Sequence, residues 1–236
     1  MKRIVFKISG EVFKEDDHNI NYDKILEVAN NIKKLYDRKI QMILVCGAGN
    51  LFRGRSSEKM NKTNADNIGM LGTSMNTIAL YDALNYIGVP TEMYNSFNID
   101  GIINTYNINI CLKDLENGKV IIVGGGSRLP LCSTDFACVQ RAIELNANAI
   151  FLGKSVDGIY DKDPKKYPDA KKIDKISSVD VLKNHINNGV DGLGIMDITA
   201  ESLLAKYNMG VYVFDITSED SIDKILSGEN IGSIIV

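Results

Sequence analysis

Ile4-Val5-Phe6-Lys7-Ile8-Ser9-Gly10-Glu11 decides how this chain is read. Three consecutive apolar residues predict a strand buried on both faces rather than one with a wet side. A lysine at the strand end, beside a serine and a glycine, can set an ammonium and bare backbone N–H groups against phosphate oxygens. An ordinary turn carrying a solvated lysine would look the same, so the stretch gains meaning only from its surroundings.

Outward from it, residues 40–45, 120–123, 150–152, 211–214 and 231–236 form similar continuous apolar runs. Between them, apolar residues recur at helical spacing: Ile25, Val28, Ile32 and Leu35; Phe136, Val139, Ala142 and Ile143; Leu203, Leu204 and Tyr207. Strand–helix alternation of this kind predicts an α/β fold, a three-layer α/β/α sandwich around a central, mostly parallel sheet. No linker or repeat divides the chain, and the polar stretches 14–21 and 161–175 read as loops, the second carrying Pro164 and Pro168. Residues 1–236 therefore read as a single domain, with room for two lobes around a cleft.

Composition narrows the function classes. The 236 residues are 44% hydrophobic, enough for a substantial core. Lys and Arg number 27 against 30 Asp and Glu, a net charge of -3 without the basic excess of a nucleic-acid binder. Cys46, Cys111, Cys132 and Cys138 form no C-x-x-C pair, and His18 and His185 leave a zinc site little to draw on. The thiols read as reduced. The apolar run at the N-terminus is too short for a signal peptide, and no stretch approaches the roughly 20 apolar residues of a membrane span. The expectation is a cytoplasmic protein that binds neither nucleic acid nor membrane.

Three more strand-end segments could handle phosphate. Gly47-Ala48-Gly49-Asn50-Leu51-Phe52-Arg53-Gly54 lets backbone approach an anion, with a guanidinium fork from Arg53. It is neither a P-loop nor G-x-G-x-x-G. Gly124-Gly125-Gly126-Ser127 leads to Ser133-Thr134-Asp135, where Ser133 or Thr134 can cap a helix beginning near Phe136. A helix N-terminus attracts anions, although an aspartate there also serves simply to stabilise the helix. The last, Lys154-Ser155-Val156-Asp157-Gly158-Ile159-Tyr160-Asp161-Lys162-Asp163-Pro164, is an acidic turn with one aromatic. Together these segments gather along one edge of a parallel sheet, where α/β proteins bind ligands.

In order, these segments resemble the amino-acid kinase superfamily and, within it, the bacterial UMP kinases. Lys7-Ile8-Ser9-Gly10-Glu11 resembles K-L-S-G-E, and residues 47–54 resemble G-G-G-N-x-x-R-G. Ala65-Asp66-Asn67-Ile68-Gly69-Met70-Leu71 resembles the D-x-M-G-M-L helix, and Ser133-Thr134-Asp135 falls where T-T-D is expected. Val156-Asp157-Gly158-Ile159-Tyr160 with Asp163-Pro164, and then Met196-Asp197, complete the series. Two departures stand out: Ala48 replaces the middle glycine, and Leu131-Cys132 replaces an aromatic pair.

The resemblance implies transfer of the γ-phosphoryl group of Mg²⁺-ATP onto UMP. It implies that Lys7, Ile8, Ser9 and Gly10 cradle the ATP phosphates, with Gly49 and Arg53 along the channel. Lys154, Tyr160 and Asp163 would flank the adenine and ribose of ATP. Ala48, Asp66, Ser127, Arg128, Leu129, Pro130, Leu131, Cys132, Ser133 and Thr134 would hold UMP, with Asp66 accepting from the ribose hydroxyls. Asp135 would organise Lys7 and the Mg²⁺ environment, and Asp197 is a second carboxylate candidate. The N-terminal lobe would mainly bind UMP and the C-terminal lobe ATP. A homohexamer is implied, with UTP as feedback inhibitor. GTP activation is expected to be weak or absent, since Tyr81, Asn85 and Glu92 stand where activated relatives carry basic residues.

The chemistry agrees with this residue set. An acceptor phosphate oxygen is already anionic, so the reaction needs positive charge rather than a general base. Rival readings are a superfamily kinase acting on a small carboxylate or carbamate, a non-catalytic nucleotide-binding relative, and a dinucleotide-binding oxidoreductase. The last lacks its glycine fingerprint.

Overall fold

A computed structural model describes residues 2–52, 59–154, 157–162, 164, 166–189, 193, 195–218, 220–229 and 231–236. The first apolar run becomes β1 (Arg3–Ile8), followed by α1 (Tyr22–Asp37), β2 (Gln41–Cys46) and the long α2 (Lys62–Tyr86). Then come β3 (Thr91–Asn95), β4 (Asn104–Thr105), α3 (Ile108–Glu116), β5 (Val120–Gly124), α4 (Thr134–Glu144) and β6 (Ala149–Lys154). The chain continues through β7 (Ile159–Tyr160), β8 (Lys172–Ile173), β9 (Lys175–Ile176), α5 (Ser178–Asn188) and α6 (Ile198–Tyr207). It finishes with β10 (Val211–Asp215), α7 (Ser221–Ser227) and β11 (Ser233–Ile235).

Nine strands form one sheet in the order β4-β3-β5-β2-β1-β6-β10-β11-β9. Every neighbouring pair is parallel except β10 and β11. β1 lies at the centre, with β2 on one side and β6 on the other. Alternate residues of each strand face opposite sides, which divides the core in two. Ile4, Phe6 and Ile8 join α1, α2 and α7 on one side; Val5, Ile150 and Leu152 join α3, α4, α5 and α6 on the other. This is the expected three-layer sandwich.

Two parts of the sequence reading need correction. The polar stretch 161–175 is not all loop, since β8 pairs with β7 and Lys175 starts β9. Residues 231–236 do form a strand, but β11 runs antiparallel to β10. The cysteines are free, three of them buried and Cys132 half-buried. Among the described residues no helix is long and apolar enough to cross a membrane.

α2 changes character along its length: its last turns bury Leu80, Ala83 and Leu84 in the core, whereas its middle turns bury Thr73, Ser74, Asn76 and Thr77 and leave Ile68, Leu71, Met75 and Ile78 exposed. The polar face is turned towards the strand-end turns, where its side chains satisfy backbone groups that a ligand-binding loop leaves open.

Candidate active site

The turns after β1 and β2 are locked against each other. Gly47 N donates to Ile8 O at 2.8 Å. A Cβ on Gly10 would lie 2.6 Å from Gly47 O and 2.4 Å from Asn50 Oδ1, so only glycine permits this backbone approach. Buried Asn76 of α2 donates from Nδ2 to Gly47 O at 2.7 Å and to Asn50 Oδ1 at 2.8 Å. Asn50 in turn donates to Asn19 O at 2.7 Å. Ile8, Ser9 and Gly10 therefore sit beside Ala48 and Gly49 in one continuous backbone surface. Arg53, predicted to line the same channel, lies outside the described residues.

The third turn is held from three sides. Gly125 and Gly126 adopt φ of +74° and +57°, a left-handed region that favours glycine. Gly125 N donates to Thr73 Oγ1 at 2.9 Å, and Ser96 Oγ donates to Gly126 O at 2.6 Å. Ser96 Oγ itself accepts from Arg141 Nη2 at 3.0 Å. That buried guanidinium lies 4.1 Å from the centre of the Tyr106 ring and pairs with Glu144 at 2.6 Å. Beyond the turn, Ser127 is buried, and Arg128, Leu129 and Leu131 are exposed. Asp66, expected to face a ribose, accepts from Leu131 N at 2.8 Å and tethers α2 to this loop. Pro130, Cys132 and Thr134 are half-buried along the same segment.

At the end of that segment two helix N-termini meet. Ser133 caps α4, accepting from Asp135 N at 3.0 Å and Phe136 N at 3.2 Å. Its hydroxyl donates to Asp197 Oδ2. Asp197 caps α6, accepting through Oδ1 from Thr199 N at 2.9 Å and Ala200 N at 3.1 Å. Asp197 is thus a helix cap joined to a second cap. The positive ends of both helix dipoles point to this edge of the sheet.

Lys7 and Asp135 face each other here, Nζ 2.9 Å from Oδ1. Burial alone would lower the Lys7 ammonium; the Asp135 carboxylate outweighs it and holds the lysine above its ordinary range. Lys154, at the end of β6, donates to Ile195 O at 2.8 Å. Burial pushes its ammonium down to about 8, with Asp135 and Glu201 opposing and Lys7 adding to the effect. Tyr160 stands on the β7–β8 hairpin with its hydroxyl 2.7 Å from Asp157 Oδ1. Ser233 of β11 secures that hairpin by accepting from Ile159 N at 2.7 Å. Asp163, predicted beside Tyr160, lies outside the described residues.

Asn76, Ser96 and Arg141 are the supporting residues that the sequence reading missed. The cluster Thr73-Ser74-Met75-Asn76-Thr77 was the available signal: four polar residues within two turns of a helix have to satisfy something if they are buried.

Comparison with known proteins agrees with this architecture. The sequence pattern described as the amino acid kinase family matches residues 2–215. The crystal structure of UMP kinase from Bacillus anthracis is 33% identical, with a TM-score of 0.91 over 99% of this chain and 95% of that one. UMP kinase from Ureaplasma parvum is also 33% identical, with a TM-score of 0.89 over 99% and 98%. Uridylate kinase from Archaeoglobus fulgidus, 24% identical with a TM-score of 0.74 and 100% of both chains covered, shares the fold. With that match running through the sheet, the turns and both helix caps, the chain belongs to the amino acid kinase family.

Proposed function

We propose that this chain is a UMP kinase, transferring the γ-phosphoryl group of Mg²⁺-ATP to UMP and releasing ADP and UDP. The observation that carries the chemistry is the Lys7–Asp135 pair, set where two glycine turns and two helix N-termini converge. The choice of acceptor is supported by the near-complete overlap with UMP kinases at 33% identity.

In this reading the backbone of Ile8, Ser9 and Gly10, with Gly49 across from it, receives the ATP phosphates. Lys7 neutralises charge that spreads over the equatorial oxygens as the bond to the ADP oxygen breaks and the bond to UMP forms. Asp135 fixes the ammonium, so no reorganisation is needed during transfer. Mg²⁺ fits as a companion of ATP, because it is bound largely by phosphate and water with one or two protein carboxylates. Asp135, beside Lys7, is a carboxylate that would help hold the ion, which would neutralise phosphate charge there. Arg53 and Asp163 are assigned to the ATP site on sequence resemblance, and Tyr160 to its nucleoside end.

UMP would lie between Ala48, Asp66 and residues 127–134, giving an N-terminal acceptor half and a C-terminal ATP half. The exposed apolar face of α2 supports self-association, for which a homohexamer is the proposed form. UTP is the proposed feedback inhibitor, and the compartment the cytoplasm.

The test is ADP release from Mg²⁺-ATP with UMP, dUMP, CMP, aspartate, glutamate or carbamate as acceptor. UMP is expected to give the highest kcat/KM. Activity with an amino acid or carbamate and none with UMP would overturn the assignment.

A further inference from the structure

Glu201 is a carboxylate set among apolar packing. It stands on α6 between Ala200 and Leu204, which are buried in the core shared with α4 and α5, and it is itself only 1% exposed. A buried carboxyl is costly, and pairing it seldom makes a fold more stable than an apolar residue of similar size would. Burial pushes the Glu201 carboxyl up, and the hydrogen bond with His185 opposes the shift. Packing alone therefore gives no reason for this side chain.

Its two oxygens reach in different directions. Oε2 lies 2.8 Å from Nδ1 of His185 on α5, and Oε1 accepts from Met196 N at 3.3 Å in the turn that leads into α6. Asn184, next to His185, accepts from Leu193 N at 3.1 Å, so α5 grips the returning chain on both sides of that turn. The turn is where the site is tied together. Ile195 O receives Lys154, and Asp197 caps α6 while accepting the Ser133 hydroxyl. Ser133 caps α4, whose first turn carries Asp135 opposite Lys7. Hydrogen bonds and one peptide unit thus run continuously from His185, through Glu201 and the 195–197 turn, to the end of α4.

We propose that Glu201, held by His185, is a positioning residue for phosphoryl transfer: by fixing the 195–197 turn it sets where α4 presents Asp135 to Lys7. This rests on the kinase reading. Glu201 is too deeply buried to meet a substrate, and its effect on the reaction passes through Asp197 and Ser133.

The experiment is steady-state kinetics of wild type, Glu201→Leu, Glu201→Gln, Asp197→Ser and the double variant Glu201→Leu with Asp197→Ser, each well below its unfolding temperature. Glutamine keeps an oxygen for Met196 N, and leucine does not. Leucine should lower kcat about tenfold, the scale of a small misplacement at a reacting centre. KM for the acceptor should stay within about twofold, and glutamine should recover most of the lost turnover. Asp197→Ser keeps a cap on α6 but is too short to reach Ser133. In that background Glu201→Leu should lower kcat by less than about threefold, because the route to α4 is already cut. Wild-type kcat in a leucine variant that merely unfolds at lower temperature would make Glu201 structural, and losses that multiply in the double variant would place its effect elsewhere; either result overturns the proposal. If Glu201→Leu does not fold, His185→Leu replaces it: a kcat about threefold lower or less is expected, and wild-type turnover overturns the assignment. The reference is whichever acceptor wild type phosphorylates, so the choice of UMP can fail without this assignment failing.

Discussion

Lys7 Nζ and Asp135 Oδ1, 2.9 Å apart, join the end of the central strand to the first turn of α4. The contact turns a flexible ammonium into a fixed one at the mouth of both glycine turns. Its loss should therefore affect rate before affinity.

Lys7→Ala and Asp135→Ala should each lower kcat about a hundredfold or more, the usual scale for a preorganised electrostatic contact. KM for UMP should change less than about threefold. Steady-state kinetics with saturating Mg²⁺-ATP measures both, and near-normal turnover in either variant would remove the pair from the mechanism.

Asn76→Leu leaves Gly47 O and the Asn50 amide without their buried partner. The cost of an unsatisfied buried group predicts a loss of about 1–3 kcal/mol in urea unfolding. ATP binding should weaken as well, because the same amide fixes the second turn. A variant of wild-type stability would show that another group replaces Asn76.

Arg141→Met removes the guanidinium that holds Ser96, and through it Gly126 O. Breaking a buried charge pair with Glu144 predicts a destabilisation of about 3 kcal/mol. Ser96→Ala isolates the positioning effect: KM for UMP should rise several-fold while KM for ATP stays within about twofold. Equal rises in both KM values would argue against a role confined to the acceptor side.

The pH dependence of stability should carry the mark of Lys154. Its ammonium falls from 10.5 to about 8 on folding, so within that window the unfolded chain binds a proton the folded chain has lost. Stability from this group therefore rises as pH climbs from about 8 towards 10.5. Thermal unfolding should find Lys154→Met more stable than wild type near pH 7.5, with the advantage shrinking by about pH 9.5. A difference independent of pH would place Lys154 in a better-solvated setting.

The strands on which the site is hung were legible because burial on both faces leaves a continuous apolar run. β1, β2, β5, β6 and β10 all have one. β3 escaped notice because Thr91, Glu92 and Asn95 interrupt it, and Asn95 is polar for a reason: it accepts from Ser74 Oγ at 2.8 Å. α2 was legible at residues 65–71 by resemblance and not by periodicity, because its middle turns bury amides and hydroxyls against backbone and only its last turns bury Leu80, Ala83 and Leu84. Lys7 and Asp135 could be picked out as charged residues at strand and helix ends, but their meeting depends on α4 crossing beneath β1. The partnership of Lys154 with Ile195 O has no sequence signal, since it pairs a side chain with a main-chain carbonyl 41 residues away.

The central place of β1 also bears on how the molecule is made. One flank is covered once β2 emerges, but the other waits for residues 149–154, far later in synthesis. Until then a nascent chain presents an open edge of Val5 and Phe6 backbone, a template for pairing with any exposed strand nearby. Vectorial synthesis thus leaves the strand that carries Lys7 as the point where chaperone protection matters most, and a truncation before residue 149 should aggregate rather than fold as half an enzyme.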